Sequence, residues 1–441
     1  MNRRGFLKVA GGSAAWLLGP SGLAIGAEDG ATKPTNKEVL AQAGEWIEKN
    51  RKGDGRVVVL GPDRKPVAGA RITVEQQRHE FLFGCNLFRF ARIDNPEREA
   101  DYRRRFAAIF NYATLGFYWA AYELEPGRPE YAYTDQVANW CRQNKIACKG
   151  HPLVWDYADP KWLPRDFGQI HSLSIARVRE IVDRFQDRID RWDVVNEPTH
   201  LGRFKTRFGE WALSVGSVAY AKEHLQTARA ANPKATLLVN DYRTDSAFFL
   251  ILDRLRQAGK VLFDAIGIQS HMHDSIWPLS RVGEVCDVYR QLEVPIHFTE
   301  TTIVSGQRLA ADRWSATIAA GETAQADYVP QFYTALFAHP SVQAITWWDF
   351  SDDHAWQGAA AGWIRKDMTP KPVYDRMMKL IKGQWWTKAE GRTNAQGEFP
   401  CRAFYGDYRV AVKLPDGRIV TREVRWQRGQ SNRFEMGINP A

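Results

Sequence analysis

Eight short apolar segments, separated by longer stretches with helical periodicity, constrain the fold of this chain more than any other feature. Strands that alternate with helices predict a parallel sheet, and eight strands close such a sheet into a (β/α)8 TIM barrel. We therefore expect an α/β fold with a barrel over residues 80–385. The predicted strands are 81–86, 113–117, 147–153, 192–195, 236–240, 265–269, 296–299 and 344–348.

Side chains suited to sugar binding follow six of these predicted strands. The carboxyl ends of the strands meet at one face of a (β/α)8 barrel, and active sites lie at that face. A single polar residue at a strand end often has only a structural role. Packing alone does not readily explain polar or aromatic residues at the same end of several successive strands. The side chains are Lys149, His151 and Trp155; Asn196 and Glu197; Asn240, Asp241 and Tyr242; Gln269 and His271; Glu300; and Trp347, Trp348, Asp349 and Trp356.

Two of these residues, Glu197 and Glu300, form the carboxyl pair that cleavage of a glycosidic bond requires. One carboxyl must be protonated to serve the leaving oxygen, and the other must be ionised to meet the developing positive charge. If Glu300 is ionised and near Glu197, its charge raises the pKa of Glu197, and burial acts in the same direction. Asn196 is placed to hold a ring hydroxyl, and His271 is placed to orient Glu300.

No pattern for another chemistry competes with this pair. The sequence has no phosphate-binding glycine loop and no Ser-His-Asp order, and its five cysteines show no Cys-x-x-Cys spacing. We therefore expect no metal and no cofactor. The net charge of +9 comes without a dense run of Lys and Arg, which argues against a nucleic-acid partner. The 17 tryptophans offer flat apolar faces that suit sugar rings.

At this level of detail the chain resembles glycoside hydrolase family 10, the family of retaining endo-β-1,4-xylanases. The resemblance extends over roughly residues 80–385, and the motifs occur in the family's order. They are GHPLVW at 150–155, WDVVNE at 192–197, VNDY at 239–242, GIQSH at 267–271, TE at 299–300 and WDFSDDHAW at 348–356.

The resemblance implies a role for each of the matching site residues. Glu197 corresponds to the acid/base and Glu300 to the nucleophile, while His271 supports the nucleophile. The implied substrate is β-1,4-xylan or a xylo-oligosaccharide, cleaved by double displacement. The residues that line the site around the cleaved sugar would be His151, Trp155, Asn196, Gln269, Trp348 and Trp356.

The chain departs from the family most clearly after the second strand. Gly116, Phe117 and Ala120 stand where the family carries Glu, Asn and Lys, which bind sugar rings on the non-reducing side. Asp156 and Thr302 replace a His and an Asp of the family pattern. We therefore expect the bond-cleaving groups to be kept and the sugar contacts on one side to be rebuilt, with weak activity on unbranched xylan.

Both ends of the chain add segments outside the barrel. Residues 1–27, with Arg3 and Arg4 before a weakly apolar stretch, resemble a twin-arginine export signal, which predicts a periplasmic or extracellular protein with no membrane span in the mature chain. Residues 28–79 predict a helix and a β-hairpin. Residues 386–441 predict a small C-terminal β-domain, a sandwich that the 56–78 segment could join.

Two alternatives to a xylanase remain open from the sequence. The first is a related hydrolase of another β-glycoside, such as a decorated polysaccharide or a glycoconjugate. The second belongs to a different class, a non-catalytic carbohydrate-binding protein that has kept the fold. The retained pair of Glu197 and Glu300 argues against this second alternative.

Overall fold

The computed structural model describes residues 33–311, 313–413 and 417–438, so the export signal predicted for residues 1–27 lies outside the described part. Within it the strands are β1 Lys52–Leu60, β2 Arg71–His79, β3 Leu82–Asn86, β4 Tyr112–Gly116, β5 Ala147–His151, β6 Arg191–Asn196, β7 Thr236–Asp241, β8 Arg256–Gln257, β9 Lys260–Val261, β10 Ala265–Met272, β11 Ile296–Ile303, β12 Arg308–Ala310, β13 Arg313–Trp314, β14 Val342–Trp347, β15 Lys388–Arg392, β16 Glu398–Phe404, β17 Gly406–Lys413, β18 Ile419–Trp426 and β19 Arg433–Gly437. The helices are α1 Asn36–Arg51, α2 Pro96–Ile109, α3 Trp119–Tyr122, α4 Tyr131–Gln143, α5 Phe167–Arg184, α6 Arg207–Val215, α7 Ser217–Ala231, α8 Ser246–Arg254, α9 Leu279–Tyr289, α10 Ala319–Ala338 and α11 Pro372–Lys379.

Eight parallel strands close into a barrel in the order β3-β4-β5-β6-β7-β10-β11-β14, which confirms the predicted (β/α)8 fold. The strands are buried on both faces, as parallel strands covered by helices must be. β10 and β11 continue past their predicted ends to Met272 and Ile303. These two extensions carry polar side chains further beyond the carboxyl-terminal face of the barrel than the sequence indicated.

A glycine allows one close approach that the site depends on. A Cβ on Gly267 of β10 would lie 2.4 Å from Oδ1 of Asn240 on the neighbouring strand β7. Any larger residue at this position would displace the Asn240 amide, which donates to Glu300 at the carboxyl-terminal face of the barrel.

The helices differ in number and in their ends from what the helical periodicity of the sequence predicts. The periodic stretch over 211–231 predicts one helix, but α6 ends at Val215 and α7 begins at Ser217. Gly216 between them has φ 84°, which a helix interior does not tolerate and which favours glycine. The helix α9 was not predicted, although it lies between β10 and β11 as the barrel requires.

The hairpin predicted within residues 28–79 is wrong. β1 pairs with β16 and β19, whereas β2 pairs with β15 and β17, so the two strands lie in different sheets. The reason is the apolar face of each strand: Val57 and Val59 of β1 and Ile72 and Val74 of β2 share one core. Facing sheets bury both faces against each other, which a two-stranded hairpin does not achieve.

The C-terminal segment consequently supplies five of the seven described strands of a sandwich, and the segment before the barrel supplies the other two, one in each sheet. The sandwich is joined to the barrel through α1, where Arg51 donates to the backbone carbonyls of Phe337, His339 and Val342 at the junction of α10 and β14. These bonds satisfy carbonyl groups that a helix end leaves without partners. None of the helices in the described ranges combines the length and apolarity needed to cross a membrane.

Candidate active site

Glu197 and Glu300 lie at the carboxyl ends of β6 and β11, on the same face of the barrel. Both are buried, with 7% and 4% of their surface exposed. Glu197 adopts the left-handed conformation with φ 53°, which is uncommon for a residue other than glycine, Asn or Asp. Its backbone N–H donates to the carbonyl oxygen of Asn240 at 2.7 Å, which holds this unusual conformation. Such strain recurs at functional sites.

Three amide side chains, those of Asn240, Asn196 and Gln269, connect the carboxyl groups. Nδ2 of Asn240 donates to Oε1 of Glu300 at 2.7 Å and to Oδ1 of Asn196 at 2.7 Å. Nε2 of Gln269 donates to Oε1 of Glu197 and to the same Asn196 oxygen, each at 3.3 Å. The predicted residues Asn196 and Gln269 therefore belong to one network with both glutamates. Asn240, which the sequence placed at the strand ends without a specific role, is the member that contacts Glu300.

Glu300 lies among nitrogen groups. Nε2 of His271 is 3.1 Å from one carboxylate oxygen, and Nε2 of His151 is 3.8 Å from the other. Nδ1 of His151 is 2.7 Å from the buried Asp193 carboxylate, which also binds Nζ of Lys149 at 2.6 Å. Burial raises the pKa of Glu300, but His151, His271 and Lys149 together lower it below the ordinary value. Glu300 is therefore ionised at neutral pH.

The surroundings of Glu197 shift its pKa in the opposite direction from that of Glu300. Burial, and then the charges of Asp241 and Glu300, raise its pKa to about 8. Arg203, whose Nη1 lies 3.5 Å from Oε2 of Glu197, and the Gln269 hydrogen bond only partly oppose this rise. Near neutral pH the site thus holds one proton donor and one carboxylate, the combination that glycoside cleavage needs.

Aromatic rings lie close to the two carboxyl groups. Trp348 is nearly buried and contacts the rings of His151 and His271, with centroids 5.3 and 5.8 Å away. Trp356 is 42% exposed and its ring centroid lies 4.5 Å from that of His271. Trp155 is stacked on Tyr157 at 4.6 Å. The three predicted tryptophans therefore lie at the same face as the glutamates.

Only one of the three rings after the second barrel strand faces the site. Phe117 points into the core, with the rings of Tyr122 and Trp192 about 5 Å away, and Trp119 is buried as well. Tyr118 contacts His151 at 5.5 Å and Trp155 at 6.0 Å. Sequence patterns do not tell these rings apart, because their direction depends on the turn that follows β4.

The two other departures from the family pattern have structural roles here. The buried Asp156 accepts from the backbone N–H of Gly202 at 2.7 Å and so holds the loop after β6. Oγ1 of Thr302 lies 2.8 Å from Nδ1 of His271 and supports the ring that contacts Glu300. No three His, Cys, Asp or Glu side chains of the described residues come together as a metal site would require.

Comparison with known proteins identifies relatives of the barrel. The model of glycosyl hydrolase family 10 matches residues 80–380. The chain is 28% identical to the anti-sigma-I factor RsgI6 of Acetivibrio thermocellus, over 86% of this chain and 47% of that protein. It is 26% identical to endo-1,4-beta-xylanase 1 of Arabidopsis thaliana, over 83% of this chain and 37% of that protein. The chain thus spans less than half the length of either relative.

A solved structure shares the fold. The crystal structure of xylanase 10B from Thermotoga petrophila RKU-1, in complex with xylobiose, aligns with a TM-score of 0.57 over 69% of this chain and 95% of that chain. The two sequences are 20% identical over the alignment, so the likeness establishes the architecture alone.

Proposed function

The chain belongs to glycosyl hydrolase family 10, and we propose that it is a retaining glycoside hydrolase acting on β-1,4-xylan or xylo-oligosaccharides. The observation that carries the proposal is the opposed protonation of two carboxyl groups joined by one amide network. The pKa of Glu197 is about 8, so this carboxyl is protonated at neutral pH. The groups around Glu300 lower its pKa by more than burial raises it, so this carboxyl is ionised.

In the first step the Glu300 carboxylate attacks the anomeric carbon. The glycosidic C–O bond breaks as the leaving oxygen takes the proton from Glu197, which forms a glycosyl ester on Glu300 and leaves Glu197 ionised. His271 holds one oxygen of Glu300 and Asn240 holds the other. These contacts fix the direction of attack and prevent rotation of the carboxylate.

In the second step Glu197 acts as the base. It removes a proton from water, whose oxygen attacks the anomeric carbon and releases the Glu300 carboxylate. The ester carries no negative charge, so the repulsion that Glu300 exerts on Glu197 is absent at this stage and the pKa of Glu197 falls. A single carboxyl therefore serves first as an acid and then as a base, and two inversions retain the anomeric configuration.

The hydrogen bonds within the protein indicate which atoms are directed to the substrate. Oδ1 of Asn196 accepts from both Asn240 and Gln269, so the amide nitrogen of Asn196 is the atom directed to a sugar hydroxyl. Trp348, Trp356 and Trp155 supply ring faces for the apolar sides of sugars.

A second candidate, hydrolysis of a different β-glycoside, is favoured by the glycone side of the site. A Cβ on Gly116 would lie 3.2 Å from the Phe88 ring and 3.5 Å from Tyr118, so these rings occupy the space in which the family's Glu would stand. An aromatic surface replaces hydrogen-bonding groups there. A decorated polysaccharide or a glycoconjugate is the alternative substrate class.

A product-resolved screen of β-linked polysaccharides and aryl β-glycosides tests the proposal. Glu197→Gln and Glu300→Gln, nearly isosteric changes, should each lower turnover by about 10²- to 10⁴-fold, while Glu210→Gln on the exposed surface of α6 should have no effect. Glu197→Gln should keep the first step with an activated aryl leaving group, which needs no proton. Near-normal turnover of either site variant would refute the assignment, and turnover of none of the substrates would favour a binding protein.

The stereochemical outcome is tested separately. Retention requires carboxyl groups about 5–5.5 Å apart, with Glu300 attacking directly rather than through a water. Proton NMR of the first product formed should show the β-anomer. An α-anomer would establish inversion and overturn the double displacement.

We also propose that the protein acts outside the cytoplasm, in the periplasm or the medium, on the basis of residues 1–27.

A further inference from the structure

Three cations form a row across the outer face of the four-stranded sheet of the sandwich, whose strand order is β15-β2-β17-β18. Arg71 of β2 lies directly opposite Arg392 of β15 on one side and Lys413 of β17 on the other. All three side chains are exposed, whereas Ile72 and Val412, next to them along the chain, are buried in the sandwich core. The three cations, here called the basic row, therefore share one face at intervals of about 5 Å.

The basic row is not balanced by acidic groups. Among the residues that the structure describes, none of the three cations pairs with a carboxylate, and Arg392 donates to the backbone carbonyl of Gly69 at 2.8 Å. Glu390, two residues before Arg392 on β15, pairs with Lys388 instead. Like charges directly opposite each other weaken the pairing of strands. The row therefore lowers the stability of the sandwich that carries it.

The same sheet face pairs its charges at a position nearer the barrel. Four charged residues of alternating sign lie opposite one another there, in the order Lys388, Glu75, Arg409 and Glu423. Surface charge can thus be arranged on this face without repulsion. Charges on edge strands protect a sheet from pairing with another chain, but β2 and β17 are central strands. Neither solubility nor edge protection accounts for the basic row.

The basic row lies at the end of the sandwich that is remote from the barrel. At the other end of β2, the His79 ring contacts the rings of Phe83 in β3 and Phe337 in α10. The nine residues of β2 span about 27 Å from Arg71 to His79. β3 begins at Leu82, so the sandwich adjoins the amino-terminal face of the barrel, opposite to the two glutamates. A ligand on the basic row would therefore leave the cleft open.

The face beside the basic row fits an extended sugar polymer. The residues between the basic row and the paired charges are short on three successive strands, namely Thr73, Ala411 and Thr421. They leave an open lane that crosses the strands, and the threonine hydroxyls can exchange hydrogen bonds with sugar hydroxyls. The guanidinium groups beside this lane match the geometry of a carboxylate, which they bind through paired hydrogen bonds.

Other polyanions fit this face less well. Single-stranded nucleic acid binds by stacking its bases on aromatic rings, and the described strands of this sheet expose none. Duplex DNA carries a charge about every 1.7 Å, a density that three cations do not match. A lipid surface is bound through several inserted apolar side chains, whereas Ile419 alone is exposed beside Lys413.

We propose that the basic row binds an acidic polysaccharide through its carboxylates. This second site is separate from the cleft and goes beyond the proposed function. Its position on the far side of the molecule lets the sandwich hold the enzyme on a carboxylated matrix while the cleft remains free. Attachment of this kind raises the effective concentration of the cleft around nearby glycan chains.

Matched polymers test the binding directly. Polygalacturonate carries one carboxylate per sugar, and its methyl ester is the same polymer without the charge. Affinity electrophoresis in gels that contain either polymer gives a dissociation constant for each. The wild type should bind polygalacturonate about 10-fold more tightly than the ester. Equal retardation by the two polymers would overturn the proposal. Binding requires no turnover, so a failure of the proposed hydrolysis would not affect this test.

A matched pair of double variants locates the site. Arg71→Gln, Lys413→Gln should weaken binding of polygalacturonate about 10-fold and leave binding of the ester unchanged. Lys388→Gln, Arg409→Gln removes the same charge from the same face, but from the paired residues, and should change binding by less than about 3-fold. Equal losses in both variants would show an effect of overall charge, and undiminished binding by the first variant would place the site elsewhere. Either result would overturn the proposal.

Stability distinguishes a binding role from a structural one. Removal of two like charges from opposite positions should leave the Tm of Arg71→Gln, Lys413→Gln equal to or above that of the wild type. A lower Tm would show that the cations support the sandwich and would overturn the assignment. Vesicles of phosphatidylglycerol supply the last comparison. Retention of the protein by these vesicles, together with no binding of polygalacturonate, would identify a lipid surface as the ligand and refute the polysaccharide.

Discussion

Two glutamate residues in this site are made chemically different by the side chains around them. The charges of Asp241 and Glu300 raise the pKa of Glu197, while two neighbouring imidazoles and the charge of the buried Lys149 lower the pKa of Glu300. The shared amide network keeps the two carboxyls close enough for each to influence the other. Burial acts on both in the same direction, so the neighbouring charges decide which one keeps its proton.

The first prediction concerns the pH dependence of catalysis. Glu197 must be protonated, and its pKa is raised to about 8, so kcat/KM for a neutral substrate should fall as the pH rises through about 8. Glu300 must be ionised and its pKa is lowered, so the acidic limb should lie below the ordinary range of a glutamate. A pH–rate profile measures both limbs. An alkaline limb near pH 5 would contradict the environment assigned to Glu197.

The second prediction concerns stability. A carboxyl whose pKa rises from 4.5 to about 8 on folding contributes its full stability below pH 4.5 and loses it as the pH rises through 8. Glu197→Gln removes this dependence and should raise the free energy of unfolding at pH 9 by about 2 to 4 kcal/mol over the wild type. Thermal unfolding of both proteins between pH 4 and 9 measures the difference.

At pH 4 the wild type and Glu197→Gln should be equally stable, because both side chains are then neutral. A difference that does not change with pH would show that packing, and not charge, accounts for the effect of the substitution. Other buried acids, such as Asp349, titrate in both proteins and cancel in the comparison.

Among the structural elements, the turn after β4 decides which side chains border this part of the site. Phe117 points into the barrel core, Tyr118 points into the site, and Phe88 from the loop after β3 closes the space beside Gly116. Packed rings therefore surround positions 116 and 117, where the family's Glu and Asn would bind sugar, and they leave little space for those two polar side chains.

The third prediction follows from this packing. Gly116→Glu, Phe117→Asn and Ala120→Lys together should not restore xylan cleavage. Asn at 117 would bury an amide among Tyr122 and Trp192, at a cost of about 3 to 5 kcal/mol. Thermal unfolding and xylan hydrolysis by the triple variant measure both effects. Ala120→Lys alone is the control and should fold normally, and a gain in xylan cleavage by a stable triple variant would contradict the prediction.

The molecule as a whole is tied together by a sandwich that contains strands from before and after the barrel. Every described sheet partner of β1 and β2 lies in the segment after the barrel. The sandwich core includes Val57 and Ile72 from the segment before the barrel and Tyr408 and Trp426 from the segment after it. Neither segment buries its apolar side chains alone, so the sandwich links the two ends of the barrel.

The fourth prediction is that residues 386–441 are required for folding. Their deletion would expose the edges of β1 and β2 and half of an apolar core, so the soluble yield should fall sharply and the Tm should drop. Supplying residues 386–441 as a separate chain should restore solubility, because the missing strands then pair with β1 and β2. A truncated protein with an unchanged Tm would show that the barrel does not depend on the sandwich.

The fifth prediction concerns export. The pair Arg3 and Arg4 precedes a stretch of low apolarity, so the double variant Arg3→Lys, Arg4→Lys should accumulate inside the cell with residues 1–27 still attached. Cell fractionation and mass determination measure both properties. Lys8→Gln, which leaves the arginine pair intact, should be exported normally, and export of the double variant at the normal rate would exclude the twin-arginine route.

Local sequence patterns were sufficient to predict the barrel and the chemical composition of its rim. Hydrophobic periodicity and residue composition are local properties of the sequence. Eight apolar segments separated by helical ones are therefore sufficient to predict the closed sheet. The strand ends also identified Glu197 and Glu300, because parallel strands bring their carboxyl ends to one face. Their catalytic roles stay predictions until activity is measured.

Long-range packing, in contrast, determines which groups meet and where each ring points. β1 and β2 have the pattern of a hairpin, and their separation into two sheets depends on strands more than 300 residues away. The role of Asn240 depends on the space beside Gly267, and the position of Arg203 depends on the path of a loop. Such contacts join distant parts of the chain, and no local pattern encodes them, since pairing and side-chain direction are chosen by the core as a whole.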